Sequence, residues 1–347
     1  MEMIKDLQIN NYKSINQINL SCERINVLIG KPNVGKSNIL EALDLDYLPW
    51  LFARNESLKT TGYSPINIKE YFRVSKVSEL FHLGNIAKAI SVIHPGFSHD
   101  YLIQFDQKVV DFQWTYGTYG QTIHFNNDFE PAPEASFSST SIHPYRYKSH
   151  IEFHDTGNYF NILMPPYGNN LLQLIENDPA FREFSGDLAK EHGFEFNLDK
   201  TSNKLLIQLR VSKGLVYSLP YDAIADTLKR FIFYIGAIRH NNARVLTLEE
   251  PEVHSFPPFI SAIADEIIKA QDRQFFIATH SPYLLNNLIE NTPTGDLAVF
   301  VCSYNKEKIE TTVKKLSQEE LSELLNFGVD IFFNINRYVD DRIENNP

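Results

Sequence analysis

One short segment has the residue types and the spacing of a phosphate-binding loop. Residues 30–37 read Gly-Lys-Pro-Asn-Val-Gly-Lys-Ser, which matches the pattern GxxxxGK[ST] at every fixed position. In this pattern backbone N–H groups surround phosphate oxygens at a helix start, the lysine reaches the β- and γ-phosphates, and the hydroxyl binds Mg²⁺. The segment therefore predicts a nucleotide site with Mg²⁺. Its predicted nucleotide-binding residues are Gly30, Asn33, Val34, Gly35, Lys36, Ser37 and Asn38, and Ser37 is also a predicted metal ligand.

A second segment is an apolar run that ends in acidic residues. Residues 245–252 read Val-Leu-Thr-Leu-Glu-Glu-Pro-Glu, which is typical of a buried strand that carries the magnesium-side acid and the base of a P-loop enzyme. We expect Glu249 to hold the hydration shell of the ion. We expect Glu250 to orient or deprotonate the attacking water. The alternative is a solvated acidic strand end, which the phosphate loop in the same chain disfavours.

A third segment places a histidine at the tip of a predicted strand. Residues 275–282 read Phe-Phe-Ile-Ala-Thr-His-Ser-Pro, and an imidazole at that position can hydrogen-bond a γ-phosphate and report its presence. A lone histidine at a strand end is more often structural. Because this one follows two phosphate-site motifs, we assign His280 a role in catalysis.

The flanking patterns predict the elements that must position these residues. The run 25–29 indicates a buried strand that enters the loop, and the apolar residues at 39, 40, 42 and 43 indicate a helix that leaves it. Further along, predicted helices and strands alternate, which indicates an α/β sheet. These elements are helix 223–238, strand 245–248, helix 259–270, strand 275–278, helix 283–289 and strand 297–302.

The middle of the chain has a different pattern. Short apolar alternations from about residue 86 to 119, with Phe112, Trp114 and Tyr116 on one face, predict antiparallel strands. This aromatic stripe could stack bases, but a core-facing sheet surface explains it better. Residues 121–170 are rich in Asn, Ser, Pro and Gly, which predicts a loop-rich insertion. The patterns also predict a helix over 171–192, strands over 194–198 and 205–211, a capping box at 317–320 that opens a last helix, and a frayed acidic tail.

These elements group into four predicted parts. They are an N-terminal lobe with the phosphate loop (1–120), a loop-rich and helical insertion (121–200), a C-terminal lobe with the acidic strand end and His280 (201–315), and a final helix and tail (316–347). The expected fold class is α/β, with a mixed sheet, an antiparallel strand subdomain and a helical and loop insertion.

Bulk composition restricts the class of protein. The 347 residues are 43% hydrophobic and 22% charged, a globular balance that excludes a disordered or fibrous chain. The formal charge of −11 argues against a surface that is basic throughout, although a local basic groove for nucleic acid stays open. Cys22 and Cys302 lack metal or disulfide spacing, and the longest apolar run, 231–238, is too short to span a membrane. We therefore expect a cytoplasmic protein with no membrane insertion.

Together the three motifs resemble the ABC-type ATPase heads of the RecF, SMC and OLD (overcoming lysogenization defect) lineage. The resemblance includes Asn11-Tyr-Lys13-Ser14-Ile, the loop as Walker A, residues 249–254 as an EEPEVH form of Walker B, and His280 as the switch histidine. It implies that ATP is the nucleotide and that Lys13 and Ser14 lie near it. It also implies that two heads of a homodimer, or of a higher homo-oligomer, sandwich ATP between them. Glu249 stands where this lineage more commonly has aspartate, and in this respect the chain resembles the OLD-like branch.

The chain departs from that family at the signature segment. A Ser-Gly-rich turn should open the helix before Walker B, but residues 223–230 read Ala-Ile-Ala-Asp-Thr-Leu-Lys-Arg. The signature-like candidates are Ala225, Asp226 and Thr227, because Thr227 offers a hydroxyl and a helix start can face a phosphate. The alternative is that this helix binds no phosphate and only packs against the protein core, since it has an apolar face.

The resemblance also indicates a function. We find no heptad repeats that could form an SMC arm. We also find no Toprim residues like those of full OLD nucleases, because Asp340-Asp341 lacks the required spacing. We therefore expect an ATPase that acts as a nucleotide-gated switch or sensor and controls a separately encoded nuclease or toxin in bacterial anti-phage defence. Two alternatives stay open: a RecF-like head that binds duplex DNA in repair, and a slowly hydrolysing ATP-dependent scaffold.

Overall fold

The computed structural model divides the chain into two compact units. Unit 1 comprises Met1–His143, Ala243–Glu250 and Gln271–Pro347, and unit 2 comprises Pro144–Asn242 and Pro251–Ala270. The structure describes residues 3–95, 97, 100–106, 109–116, 119–132, 140–154, 161–202, 204–327 and 330–339. The predicted acidic tail, with Asp340 and Asp341, lies outside these described residues. The four predicted domain ranges stay a prediction.

Both units contain strands and helices. The strands are β1 (Asp6–Tyr12), β2 (Ile15–Ser21), β3 (Ile25–Gly30), β4 (Ile90–Ile93), β5 (Asp100–Asp106), β6 (Val109–Tyr116), β7 (Tyr119–Asn126), β8 (Ile142–Tyr145), β9 (Glu195–Asp199), β10 (Lys204–Ser212), β11 (Leu215–Pro220), β12 (Val245–Glu249), β13 (Gln274–Ala278), β14 (Leu297–Asn305) and β15 (Glu310–Lys315). The helices are α1 (Lys36–Asp44), α2 (Leu48–Thr61), α3 (Ile68–Tyr71), α4 (Leu171–Asn177), α5 (Pro179–Glu191), α6 (Asp226–Arg239), α7 (Pro257–Lys269), α8 (Pro282–Asn291) and α9 (Gln318–Phe327).

A mixed sheet carries the predicted phosphate loop. Its strand order is β15-β14-β3-β13-β12-β8, in which β12, β13, β3 and β14 run parallel and β15 runs antiparallel to β14. Every residue of β3 and β13 is buried, as expected for central strands covered on both faces. The register pairs Glu249 with Ala278, and Ala278 with Leu28. The carboxyl ends of β3, β12 and β13 therefore lie at the same edge of the sheet.

A second, antiparallel sheet in unit 1 confirms the strands predicted between 86 and 119. Its order is β2-β1-β4-β5-β6-β7. Phe112 of β6 is buried between Ile103 of β5 and Ile123 of β7, so its face belongs to the core. The side chains of Trp114 and Tyr116, predicted on the same face, lie outside the described set. With both sheets in place, the predicted α/β class with a mixed sheet and antiparallel strands is confirmed.

Unit 2 contains a three-stranded antiparallel sheet of order β11-β10-β9. β9 and β10 confirm the predicted strands to within one residue, whereas β11 was not predicted. The single helix predicted over 171–192 was wrong, because the chain breaks between α4 and α5 at Asp178-Pro179. Asp178 is extended, with ψ 109°, which is the conformation that a following proline favours. Its carboxylate then caps α5 by accepting a hydrogen bond from the Phe181 N–H at 2.7 Å.

The predicted start of helix 223–238 was also wrong. Residues 221–223 form a 3₁₀ turn, Ile224 is extended with ψ 145°, and Ala225 is non-helical with ψ 134°. The α-helix therefore begins only at Asp226. α2 and β15 were not predicted, whereas the capping box was confirmed: Ser317 N–H donates to Glu320 Oε2 at 2.8 Å, and Glu320 N–H donates to Ser317 Oγ at 3.2 Å.

No helix among the described residues has the length and apolar character needed to cross a bilayer.

We predict that Asp178→Ala lowers the free energy of unfolding by about 1 kcal/mol, the usual contribution of an N-cap carboxylate. Asp178→Asn should lower the free energy of unfolding by only about 0.3 kcal/mol, because its amide oxygen can still accept from Phe181 N–H. The matched control is Asp187→Ala, a change of the same type at an exposed site of α5, which should stay within about 0.5 kcal/mol of the parent. Urea denaturation measures all three; equal losses for Asp178→Ala and Asp187→Ala would contradict the cap.

Candidate functional site

The predicted phosphate loop connects β3 to α1 through left-handed backbone. Gly30 has φ 154°, Asn33 has φ 61° and Gly35 has φ 99°, in the region that glycine and asparagine tolerate best. A Cβ at Gly30 would lie 2.4 Å from the Cys302 carbonyl oxygen, and one at Gly35 would lie 2.1 Å from Thr311 Oγ1. Close packing and backbone conformation therefore both require glycine at these two positions.

Lys36, the first residue of α1, lies over this loop. Its side chain is buried, and Nζ donates to the carbonyl oxygens of Gly30 at 3.0 Å and Lys31 at 2.9 Å. Because Gly35 precedes the helix, no side chain caps the first turn, and its N–H groups can face an anion. Among the other predicted loop residues, Asn33 is exposed, Val34 is buried, and Ser37 and Asn38 are half-buried.

Ser14 is joined to the loop by a chain of hydrogen bonds. Asn38 Nδ2 donates to Ser14 Oγ at 2.6 Å, and Ser14 Oγ lies 2.6 Å from Thr311 Oγ1. The Thr311 hydroxyl donates its only proton to the Val34 carbonyl at 2.9 Å, so Ser14 must be the donor to Thr311. The structure thus brings Ser14, Val34 and Asn38 together through Thr311, a residue that the sequence analysis did not single out.

Lys13 contacts helix α1 rather than the loop backbone. Its backbone is left-handed, with φ 47°, and is fixed by its own N–H, which donates to the Leu80 carbonyl at 2.7 Å. The ammonium group donates to Glu41 Oε2 and to the Phe72 carbonyl. Glu41 is fully buried, so the charge on Lys13 compensates a carboxylate that burial would otherwise destabilise.

The two predicted acids at the end of β12 have different surroundings. Glu249 Oε1 lies 2.8 Å from the Arg73 guanidinium, and its side chain is 18% exposed. Glu250 is 42% exposed and has a left-handed backbone with φ 46°, while its N–H donates to the Ala278 carbonyl at 2.9 Å. Such a conformation in a non-glycine residue costs about 1–3 kcal/mol and is common at functional sites. Glu250 therefore leaves the strand at a sharp angle and presents its carboxylate at the sheet edge.

His280 lies next to Glu250, one strand away. Its Nε2 is 3.6 Å from Glu250 Oε1, beyond hydrogen-bond length. Burial, and secondly the charge of Lys36, hold the pKa of His280 below its ordinary value, while Glu250 acts in the opposite direction. The neutral imidazole is therefore the main form at pH 7. Lys36 and Glu250 therefore both lie close enough to His280 for their charges to affect its pKa.

The signature-like residues lie in unit 2, at the start of α6. The Thr227 hydroxyl donates to the His254 carbonyl, so its proton already has an acceptor. Asp226 Oδ1 accepts from the Tyr147 hydroxyl at 2.6 Å, and burial together with Asp226 raises the pKa of Tyr147. Ala225 offers no side-chain polar group. A carboxylate in the first turn favours a helix that is not bound to an anion, because it occupies the positive end of the helix dipole.

Several residues of the site were missed at the sequence level. Glu41 and Asp44 are buried acids on one face of α1, and Thr247 Oγ1 donates to Asp44 Oδ1 at 2.6 Å. Their only sequence signal is a pair of acids, three residues apart, within an apolar helix pattern. Arg73 and Thr311 carry no such signal, because they lie in segments far from the motifs.

The donor set fits a nucleotide with Mg²⁺. The loop offers backbone N–H groups and a buried ammonium, which suit phosphate, and Ser37 and Glu249 supply oxygen atoms. No group of three or more His, Cys, Asp or Glu residues that could hold a metal occurs in the described ranges. Mg²⁺ that binds with a nucleotide usually takes one or two protein oxygens together with phosphate and water oxygens. The residues that would hold the ion are Ser37 and Glu249.

We predict that the charge of Lys36 is measurable in the titration of His280. Lys36→Met should raise the pKa of His280 and Glu250→Gln should lower it further. NMR titration of the imidazoles, with His280→Gln to identify the resonance, measures both shifts. Because the folded-state pKa is below the unfolded value of about 6.5, His280 should also reduce stability as the pH falls below that value. An unchanged pKa in both variants would contradict this arrangement.

Comparison with known proteins places this site in a family. The family model described as "AAA domain, putative AbiEii toxin, Type IV TA system" matches residues 25–286, a range that contains the phosphate loop, both acids and His280. No curated protein matches the chain at a significant level.

Among solved structures, heads of SMC proteins are similar to this chain. An SMC head bound to the C-winged helix domain of ScpA is 15% identical, with a TM-score of 0.48, covering 91% of this chain and 98% of that one. The SMC head domain from Thermotoga maritima is 12% identical, with a TM-score of 0.42 and coverages of 90% and 98%. An Smc head from Pyrococcus furiosus, with an extended coiled coil and bound to the C-terminal domain of ScpA, is 14% identical, with a TM-score of 0.47 and coverages of 94% and 99%.

Similarity at this level says nothing about activity or partners. The family match covers most of the chain and includes each of the three motifs in unit 1. This chain therefore belongs to the AAA-domain family of P-loop ATPases that this model describes.

Proposed function

We propose that this chain binds ATP with Mg²⁺ at residues 30–37 and hydrolyses it with Glu250 as the base. The observation that carries the proposal is the common edge of β3, β12 and β13. The register of these strands sets the phosphate loop, Glu249 and Glu250, and His280 side by side. Each of the three positions carries a functional group that phosphoryl transfer to water requires.

In this proposal each side chain has one role. Lys36 neutralises the β- and γ-phosphates, and Ser37 and Glu249 hold the magnesium ion and its hydration shell. Glu250 orients or deprotonates the water that attacks the γ-phosphorus, after which the bond to the β–γ bridging oxygen breaks and ADP leaves. The neutral imidazole of His280 hydrogen-bonds the γ-phosphate and reports its presence.

We propose further that the nucleotide state controls a partner effector, a nuclease or toxin, in bacterial anti-phage defence. Support comes from the family description, which connects this type of AAA domain with type IV toxin–antitoxin systems. A head of this kind would work in the cytoplasm as a homodimer or a higher homo-oligomer, with Lys13 and Ser14 close to the nucleotide.

We predict that Glu250→Gln lowers ATP turnover by about 10²-fold or more, since general-base catalysis typically contributes at least that much. The amide keeps the shape of the side chain but cannot accept the proton of the attacking water. Phosphate release measures turnover, and a fluorescent ATP analogue measures binding, which should be unchanged.

Lys36→Ala serves as the control for the phosphate loop and should abolish binding. Equal turnover in Glu250→Gln and in the parent would refute the role of Glu250. Retained affinity in Lys36→Ala would refute the phosphate-loop assignment.

A second candidate is a scaffold that binds ATP but hydrolyses it slowly or not at all. One observation favours it: at the start of α6 the Thr227 hydroxyl donates to the His254 carbonyl, and Asp226 adds a negative charge. Both features weaken this segment as a phosphate-binding signature in trans.

The two candidates predict different masses in solution. If the switch is correct, Glu250→Gln with Mg-ATP should shift from monomer to dimer, because trapped nucleotide joins two heads. Native mass spectrometry or light scattering, with and without Mg-ATP, measures this. Lys36→Ala is the matched control and should show no shift. An unchanged mass in Glu250→Gln would favour the scaffold.

A further inference from the structure

Glu41 is a fully buried carboxylate shared by two cations from distant parts of the chain. Oε2 accepts from Lys13, and Oε1 lies 2.8 Å from Arg73 Nε and 2.7 Å from an Arg73 terminal nitrogen. The Tyr12 hydroxyl lies 3.4 Å from Oε2. A buried acid with this many donors is strongly oriented, because each displaced partner would leave charge without compensation in a poorly solvated place.

Arg73 connects this buried acid to the end of β12. Its terminal nitrogen lies 2.8 Å from Glu249 Oε1, so one guanidinium bridges an acid of α1 and the predicted metal-side acid. The planar group of arginine, with five donors, suits such a bridge better than lysine would. The side chain is 51% exposed, and solvent can therefore reach this bridge from one side.

Hydrogen bonds fix the backbone around Arg73 in the conformation that this bridge requires. Arg73 has φ 52°, and its N–H donates to the Glu70 carbonyl at 3.1 Å. The preceding carbonyl, of Phe72, accepts from the Lys13 ammonium. Lys13 therefore contacts both the shared acid and the turn that presents Arg73.

A second bridge runs beside the first one. The Tyr71 hydroxyl donates to Asp44 Oδ2 at 2.7 Å, and Thr247 donates to Asp44 Oδ1 at 2.6 Å. Tyr71 ends α3 and Arg73 lies in the turn that follows, so this segment is joined to β12 directly through Arg73 and indirectly through Asp44. The position of Arg73 relative to Glu249 is therefore fixed by several contacts within unit 1.

We propose that Arg73 is a positioning residue that competes with Mg²⁺ for Glu249 and so sets the Mg²⁺ concentration at which nucleotide binds. The proposal rests on the proposed function, in which Glu249 holds the ion. The formal charges of Lys13, Glu41, Arg73 and Glu249 sum to zero. A divalent ion at Glu249 adds positive charge close to Arg73, which opposes its binding electrostatically.

Competition at one acid has a reciprocal consequence. If Arg73 weakens Mg²⁺ binding, then Mg²⁺ binding weakens the hold of Glu249 on Arg73 by the same factor. The turn that carries Arg73 is thereby coupled to metal occupancy. Any molecule that draws the exposed guanidinium away from Glu249 would favour Mg-nucleotide binding.

The test is a Mg²⁺ titration of nucleotide binding with Arg73→Gln in a Glu250→Gln background, which prevents turnover. The probe is a fluorescent ATP analogue at fixed concentration. The Mg²⁺ concentration for half-maximal binding should fall roughly fivefold or more, the usual lower range of coupling between two sites. The affinity for the analogue in EDTA should not change.

Two further variants make the result specific. Lys76→Gln removes the same charge at an exposed position three residues away, and it should leave the titration unchanged. Arg73→Lys keeps a cation for Glu41 but lacks the fork that reaches both acids, so it should fold even if Arg73→Gln does not. Its half-maximal Mg²⁺ concentration should also fall, though by less.

Each other result has its own meaning. An unchanged titration in both Arg73 variants would overturn the proposal, and so would a loss of affinity in EDTA, which would mean that Arg73 contacts the nucleotide itself. If the Glu250→Gln parent fails to bind the analogue with Mg²⁺, the proposed function fails instead. If the parent binds the analogue with Mg²⁺ and Lys36→Ala abolishes that binding, the proposed function stands. A failure in the Arg73 variants then concerns the role of Arg73 alone.

Discussion

The register of three parallel strands is the constraint on which the site depends. β13 lies between β3 and β12, and its Ala278 is paired with Leu28 on one side and Glu249 on the other. A shift of one residue in either pairing would turn the following side chains to the opposite face. Because β3 and β13 are buried on both faces, such a shift would force side chains of different size and shape into closely packed layers. Hydrophobic burial thus fixes the spacing of the polar groups at the sheet edge.

Polar contacts inside unit 1 then orient what the sheet has brought together. α1 carries the phosphate loop at its start and two buried acids, Glu41 and Asp44, further along. Through these acids the helix is joined to the turn after α3 and, through Arg73 and Thr247, to β12. Movement of the loop helix relative to β12 would break several charge-assisted hydrogen bonds in a place with little solvent. The network therefore holds α1 and β12 in a fixed relative position.

Left-handed backbone occurs at several residues of the motif segments. Asn33, Glu250 and Lys13 all have positive φ values, and each belongs to a segment that the motifs single out. Residues in such conformations persist only where their surroundings hold them. Here the surroundings are hydrogen bonds, such as that from Glu250 N–H to the Ala278 carbonyl. The strained positions mark places where side-chain direction has been fixed at a cost in stability.

The sequence by itself determined the phosphate loop, the acidic end of β12, the histidine after β13 and the alternation of elements around them. These are local patterns, in which the chemistry and the flanking strand or helix lie within about ten residues. Only the tertiary structure revealed that Lys13 pairs with Glu41, that Thr311 connects Ser14 to the loop, and that Arg73 bridges Glu41 and Glu249. Each of these contacts joins residues that are 28 to 297 positions apart, and no periodicity or spacing rule extends over such a distance. The break at Asp178-Pro179 was a local failure of a different kind, because the helical pattern on both sides outweighed the one proline that decides the backbone.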